Sequence, residues 1–130
     1  IKSMEMRLAY RKRMKRGLVT EFGLEHERGE DQQENFFQWF SLRTELNGRL
    51  AQGRFSIING LRWNDLPASL SPLALFDLSG GQGDGLQYFT DIRLDMRINQ
   101  RIDARISYSL RSRANFSPLQ TATFTLSSRL

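Results

Sequence analysis

Between Leu86 and Arg113 apolar and polar side chains alternate almost without a break. Tyr88, Thr90, Ile92, Leu94, Met96 and Ile98 share one parity; Asp91, Arg93, Asp95 and Arg97 hold the other. After Asn99–Gln100–Arg101 the pattern resumes, with Ile102, Ala104, Ile106, Tyr108 and Leu110 against Asp103, Arg105, Ser107, Ser109 and Arg111. A period of two marks extended strands with two chemically different faces. Folding the stretch at Asn99–Arg101 sets Ile98 opposite Ile102, Met96 opposite Ala104, Leu94 opposite Ile106 and Ile92 opposite Tyr108. The same register sets Arg97 opposite Asp103 and Asp95 opposite Arg105, so one hairpin satisfies both faces.

Each arm of this hairpin runs about twelve residues, whereas strands of soluble proteins usually run about five or six. A tilted strand needs roughly 9–11 residues to cross a bilayer. One face apolar for that length and the other rich in Arg and Asp is the pattern of a transmembrane barrel, with lipid outside and water in the lumen. The mean hydropathy of −0.49 is compatible with this, because half of each strand is polar. No apolar run reaches the ~18 residues of a membrane helix. The chain contains no cysteine, which excludes disulfide scaffolds and thiolate metal sites. The formal charge of +5 raises the possibility of a nucleic-acid partner. The arginines, however, are interleaved with acids, except at Arg11–Lys12–Arg13 and Lys15–Arg16.

The same alternation divides the whole chain into about seven long strands: 2–12, 18–28, 35–46, 49–64, 86–98, 102–113 and 120–130. Met4, Met6, Leu8 and Tyr10 form the apolar face of the first, and Phe22 and Leu24 that of the second. The first strand's polar face carries Arg and the second's Glu, with Arg7 near Glu21 as the expected pair. In the third strand Phe37 and Trp39 stand where polar residues are expected; either they fill the interior near one rim or the register shifts there. Asn47–Gly48 is a two-residue hairpin signal, predicting Leu46 opposite Arg49 and Phe40 opposite Phe55. It also predicts a change to odd-numbered apolar residues, which Phe55, Ile57, Leu61 and Trp63 obey. That parity persists through Asn59–Gly60, so one long strand is expected there rather than a second turn. Residues 65–85, holding Pro67, Pro72 and a Gly-rich run, form the longest loop.

Short and long connections alternate along the chain, as periplasmic turns and external loops do in outer-membrane barrels. The expected fold is all-β: an antiparallel up-and-down meander, a single segment (1–130) of a transmembrane β-barrel. Single-chain bacterial barrels normally have even strand numbers, so upstream strands are expected before Ile1. The chain opens without a signal-peptide pattern and reads as the end of a longer protein. In these respects it resembles the C-terminal region of bacterial outer-membrane β-barrel proteins. Their last strand alternates apolar residues and ends in an aromatic one. Phe124, Leu126 and Leu130 follow that pattern, although Leu130 is not aromatic and Ser128 is polar. The resemblance implies location in the bacterial outer membrane.

Candidate chemistry is sparse. Arg93, Asp95, Arg97, Asp103, Arg105 and Arg111 form a charge ladder on the expected lumen face, with Arg113 beyond. It either lines an anion-selecting path or fills a narrow lumen with mutually neutralising pairs. Arg54, Arg62 and Arg129 point the same way without obvious acidic partners. Lys12, Arg13, Lys15 and Arg16 form a basic periplasmic turn, suited to anionic lipid headgroups, an envelope partner or plain solvent. The expected membrane-facing residues are Ile92, Leu94, Met96, Ile98, Ile102, Ile106, Tyr108 and Leu110. Trp39, Trp63, Tyr10, Tyr88 and Tyr108 are candidates for aromatic girdles. His26, the one histidine, has no convergent Ser or Asp and reads as structural or interfacial. Gly80–Gly85 lacks the residues of a phosphate loop and misses a calcium-binding repeat by one position.

The expected function is therefore non-enzymatic, without metal or cofactor. The chain reads as a passive pore, or as a membrane anchor or scaffold. Its partners are outer-membrane lipid and other envelope proteins, not nucleic acid. The alternative is a soluble antiparallel β-domain binding nucleic acid or another polyanion through an Arg-rich face. It requires the apolar faces to pack on each other.

Overall fold

The computed structural model describes residues 2–30, 36–66, 84–113 and 116–128. They form one antiparallel sheet in which each strand pairs with its neighbours in sequence, so the all-β up-and-down meander of seven strands is observed. The strands are β1 (Lys2–Arg13), β2 (Val19–Glu30), β3 (Phe36–Leu50), β4 (Gly53–Asp65), β5 (Gly85–Arg97), β6 (Ile102–Arg113) and β7 (Leu119–Ser128). The sheet is not closed: β1 pairs only with β2, and β7 only with β6. Most of the expected 65–85 loop, with Arg129 and Leu130, lies outside the described residues.

The central hairpin has the register its two faces demand. Ile92 pairs with Tyr108, Leu94 with Ile106, Asp95 with Arg105 and Arg97 with Asp103. Its turn is closed by Ile98 N–H on Ile102 O (2.9 Å), and Asn99 Oδ1 accepts from the N–H groups of Arg101 and Ile102, both at 2.8 Å. A short polar side chain that bonds the backbone ahead of it is what ends the alternation here.

Two expected registers are corrected. Arg7 pairs with Glu25 and Arg11 with Glu21, rather than Arg7 with Glu21. The β1–β2 connection, 14–18, has the expected length but lies one residue further on, and it contains a single 3-10 turn, Lys15–Gly17, closed by Met14 N–H on Leu18 O. The second correction is larger. Asn47–Gly48 is not a turn. The chain reverses at Ala51–Gln52, so Leu50 faces Gly53, Leu46 faces Ile57 and Phe40 faces Trp63. Gly48 instead lies in β3 beneath the Phe55 ring, where a Cβ would overlap that ring. The turn is also held from outside the hairpin, since Arg97 N–H donates to Gln52 O at 2.7 Å. Moving the turn by four residues displaces the register by an even number. The odd-numbered apolar face of β4 therefore survives, and β4 runs straight through Asn59–Gly60.

The pairings make both faces continuous across all seven strands. On one face a row runs Leu8, Leu24, Leu42, Leu61, Tyr88, Ser112. Leu8 stands six residues from the Lys2 end of β1, while Ser112 stands one residue from the Arg113 end of β6, five strands on. Counted from that end the row keeps its height over β1, β2 and β3 and then descends through β4, β5 and β6, which averages about one residue per strand. With a rise of about 3.3 Å and a strand spacing of about 4.8 Å, this tilts the strands by about 35° from the sheet's long axis. The described core is small: Phe37, Trp39, Asn64, Leu66 and Gln87 are buried toward the end of the sheet bearing the longer connections, and Ala104 is buried near the opposite end.

Candidate functional site

The two faces differ in what they expose. Within the strands, every exposed large apolar side chain except Leu119 lies on the Leu8–Tyr88 face, from Met4 and Met6 at one edge to Phe124 and Leu126 at the other. Ile92 and Ile106 are 40% and 43% exposed although they lie in the middle of the sheet. Leu94, Met96, Ile102, Tyr108 and Leu110 share their face, and Ile98 follows just past the end of β5, 53% exposed. Charged residues on this face among those with described side chains are Lys12, Arg28, Glu30 and Asp65, all within two residues of a strand end. One polar pair interrupts the band: Thr90 Oγ1 donates to Asn59 Oδ1 at 2.9 Å, so the two satisfy each other.

The opposite face carries the arginines and carboxylates. Asp95 is the centre of its lower half, taking Arg105 Nε at 2.6 Å, Arg93 Nε at 2.9 Å and Arg54 Nε at 3.3 Å. Arg97 meets Asp103 at 3.5 Å, and Arg111 meets Asp91 at 2.8 Å. The ladder residues thus belong to three separate ion-pair groups rather than one line. Arg54 is a corrected case, since its partner is Asp95. That pairing was hidden in the sequence because the long 65–85 connection leaves the β4–β5 register unspecified. Asp91 joins the group for the same parity reason as Asp95, but only the β5–β6 register brings it to Arg111. At the β1–β2 edge, Arg7–Glu25 (3.0 Å) and Arg11–Glu21 (2.9 Å) continue the pattern.

Phe37 and Trp39 lie on this polar face near the upper end of the sheet, buried without a register shift. Trp39 Nε1 donates to Glu27 Oε2 at 2.8 Å, and the Arg62 guanidinium sits 4.5 Å from the Trp39 ring centroid. Arg111 sits likewise over Phe89, at 4.9 Å. His26, on the apolar face, donates from Nδ1 to the Trp39 carbonyl at 3.0 Å, a structural use of the ring. Trp63, Tyr10 and Tyr88 are exposed on the apolar face; Trp39 is not, so it belongs to no outward aromatic girdle.

Lys12, Arg13, Lys15 and Arg16 are fully on the surface at the tight-turn end, with Arg16 in the left-handed region (φ 65°). Among the described residues no carboxylate lies within ion-pair distance of them. The same end carries Arg49 and Arg101, which makes that rim basic. No group of metal-ligating side chains occurs among the described residues. Comparison with protein-family models, characterised proteins and solved structures finds no match to this chain.

Proposed function

We propose that this sheet is a segment of an outer-membrane β-barrel, with the Leu8–Tyr88 face against hydrocarbon and the charged face around a wet interior. The observation that carries the reading is the unpartnered apolar face. Exposed apolar patches on soluble monomers seldom exceed a few hundred Å², and this one crosses all seven strands. Its dimensions suit a bilayer. On β5 the apolar positions run from Leu86 to Met96, about 33 Å along the strand at about 3.3 Å per residue. A tilt of about 35° makes that about 27 Å in height, close to the ~25 Å apolar band of barrels in membranes. Lipid admits no open sheet edge, so in this reading β1 and β7 each take a further strand partner. The role is passive: a pore, or an anchor for envelope proteins, with lipid as the principal partner and no enzymatic chemistry.

The two tryptophans provide the test, because Trp63 lies on the apolar face and Trp39 on the other. Single-tryptophan variants W39F and W63F are reconstituted into vesicles whose acyl chains carry bromine. Bromine should quench Trp63 strongly and Trp39 weakly. A chain that stays in solution without detergent, with Trp63 unquenched, would refute membrane insertion; salt-sensitive nucleic-acid binding by that soluble chain would favour the polyanion-binding alternative.

A further inference from the structure

Arg49 has one cross-strand neighbour, and it is another arginine. The β2–β3 pairing stops at Asn47, so on the polar face Arg49 is opposed only by Arg54, across the β3–β4 hairpin. The row continues through Asp95 on β5 to Arg105 on β6. Like charges directly opposed on neighbouring strands destabilise a sheet, and among the described residues Arg49 makes no ion pair. Glu45, the nearest acid on the same face of β3, already takes Arg43 at 3.2 Å and Asn47 Nδ2 at 2.7 Å. Asp95 is shared by Arg54, Arg93 and Arg105. Four guanidinium groups therefore stand around one carboxylate.

These groups are arranged to take a further anion. Arg54, Arg93 and Arg105 each reach Asp95 through Nε, which leaves the Nη1–Nη2 edge of each available as a fork of donors. The Arg54 side chain is 72% exposed, open to a ligand arriving from solvent. Two adjoining hollows, of about 790 and about 580 Å³, are both lined by Arg49, Arg54 and Asp95. Each has the size of a small-molecule site.

We propose that the Arg49–Arg54 pair binds a dianionic phosphate group, free phosphate or a phosphate monoester, seated between the two guanidiniums while Asp95 fixes the Arg54 side. The anion supplies the negative charge that the register withholds from this pair. A tetrahedral dianion offers oxygens to donors arriving from both strands, whereas a planar carboxylate carries one charge and is served by a single arginine fork. The site belongs to the polar face alone, and it stands whether the other face meets hydrocarbon or protein.

For the test, the whole chain is titrated calorimetrically with inorganic phosphate, glycerol phosphate, dimethyl phosphate and acetate, at constant ionic strength and at a pH where phosphate monoesters are dianions. Inorganic phosphate and glycerol phosphate should saturate one site, and acetate should give no saturable heat. Dimethyl phosphate, which carries the single charge of a lipid headgroup, should bind at least tenfold more weakly. R49Q, which removes no ion pair, should already weaken phosphate binding several-fold. R49Q/R54Q should weaken it at least tenfold and R49K/R54K less. R28Q/R113Q, which removes the same charge at the other end of the sheet, should change it under twofold. A far-UV spectrum confirms that each variant is folded, and the detergent requirement is recorded separately from binding. Heats that follow ionic strength without saturating, equal binding of acetate, R49Q binding like the parent, or equal losses in R49Q/R54Q and R28Q/R113Q would each overturn the proposal. Equal binding of dimethyl phosphate would overturn the dianion and assign the pair to a lipid headgroup.

Discussion

Asp95 shows how one side chain organises a charged surface. Its carboxylate is 20% exposed while Arg54, Arg93 and Arg105 are about half exposed or more. A single exposed ion pair contributes little, but three cations around one anion repel each other once it is gone. D95N should therefore lower stability by about 1–2 kcal/mol in a urea titration, with a deficit that shrinks in high salt. E5Q, which leaves Arg7 paired with Glu25, should stay within about 0.5 kcal/mol. Gly60 raises a matter of volume rather than charge. A Cβ there would overlap the Phe89 ring, which lies across the strand directly over it. G60A should cost about 1–3 kcal/mol by overpacking, and the smaller ring-free side chain of F89L should recover part of that loss in the double variant.

At the scale of the element, the β3–β4 hairpin separates local signal from outcome. Asn47–Gly48 has the residues of a tight turn, yet it is strand, because Gly48 supplies the space under Phe55 and Gln52 O is bound by β5. Cysteine cross-linking reads the register directly in a chain with no native cysteine. L46C/I57C should form a disulfide on mild oxidation, since these positions face each other and opposed Cα atoms lie about 4.5–5.5 Å apart. F40C/F55C, the pair that a turn at Asn47–Gly48 would bring together, should remain reduced. Rapid bridging of the second pair would place the turn at Asn47–Gly48 after all. By contrast, the β5–β6 hairpin was legible in full, because its short connection and its two complementary faces agree on one register. The β4–β5 pairing was illegible for the opposite reason: no short turn ties the strands, and period two permits any even displacement.

At the scale of the whole molecule, the division between faces should govern tolerance to charge. L94R, in the middle of the apolar face, should cost about 2–4 kcal/mol in a folded, lipid-reconstituted sample if that face meets hydrocarbon. S107R, on the polar face beside Arg93, should be nearly neutral, with the small difference falling as salt rises. Equal tolerance of both substitutions would argue against a hydrocarbon-facing surface. Hydropathy alternation was sufficient by itself to determine that the chain is antiparallel β, which residues share a face, and that those faces differ in chemistry; each follows from side chains pointing alternately to opposite sides of a strand. Only the tertiary structure decided the displacement of each strand against the next, and with it the Arg54–Asp95 contact, the seat of Phe55 over Gly48 and the direct opposition of Arg49 and Arg54. Parity is preserved by every two-residue slip, so an alternating sequence is nearly silent about register. Packing between non-adjacent residues breaks that degeneracy.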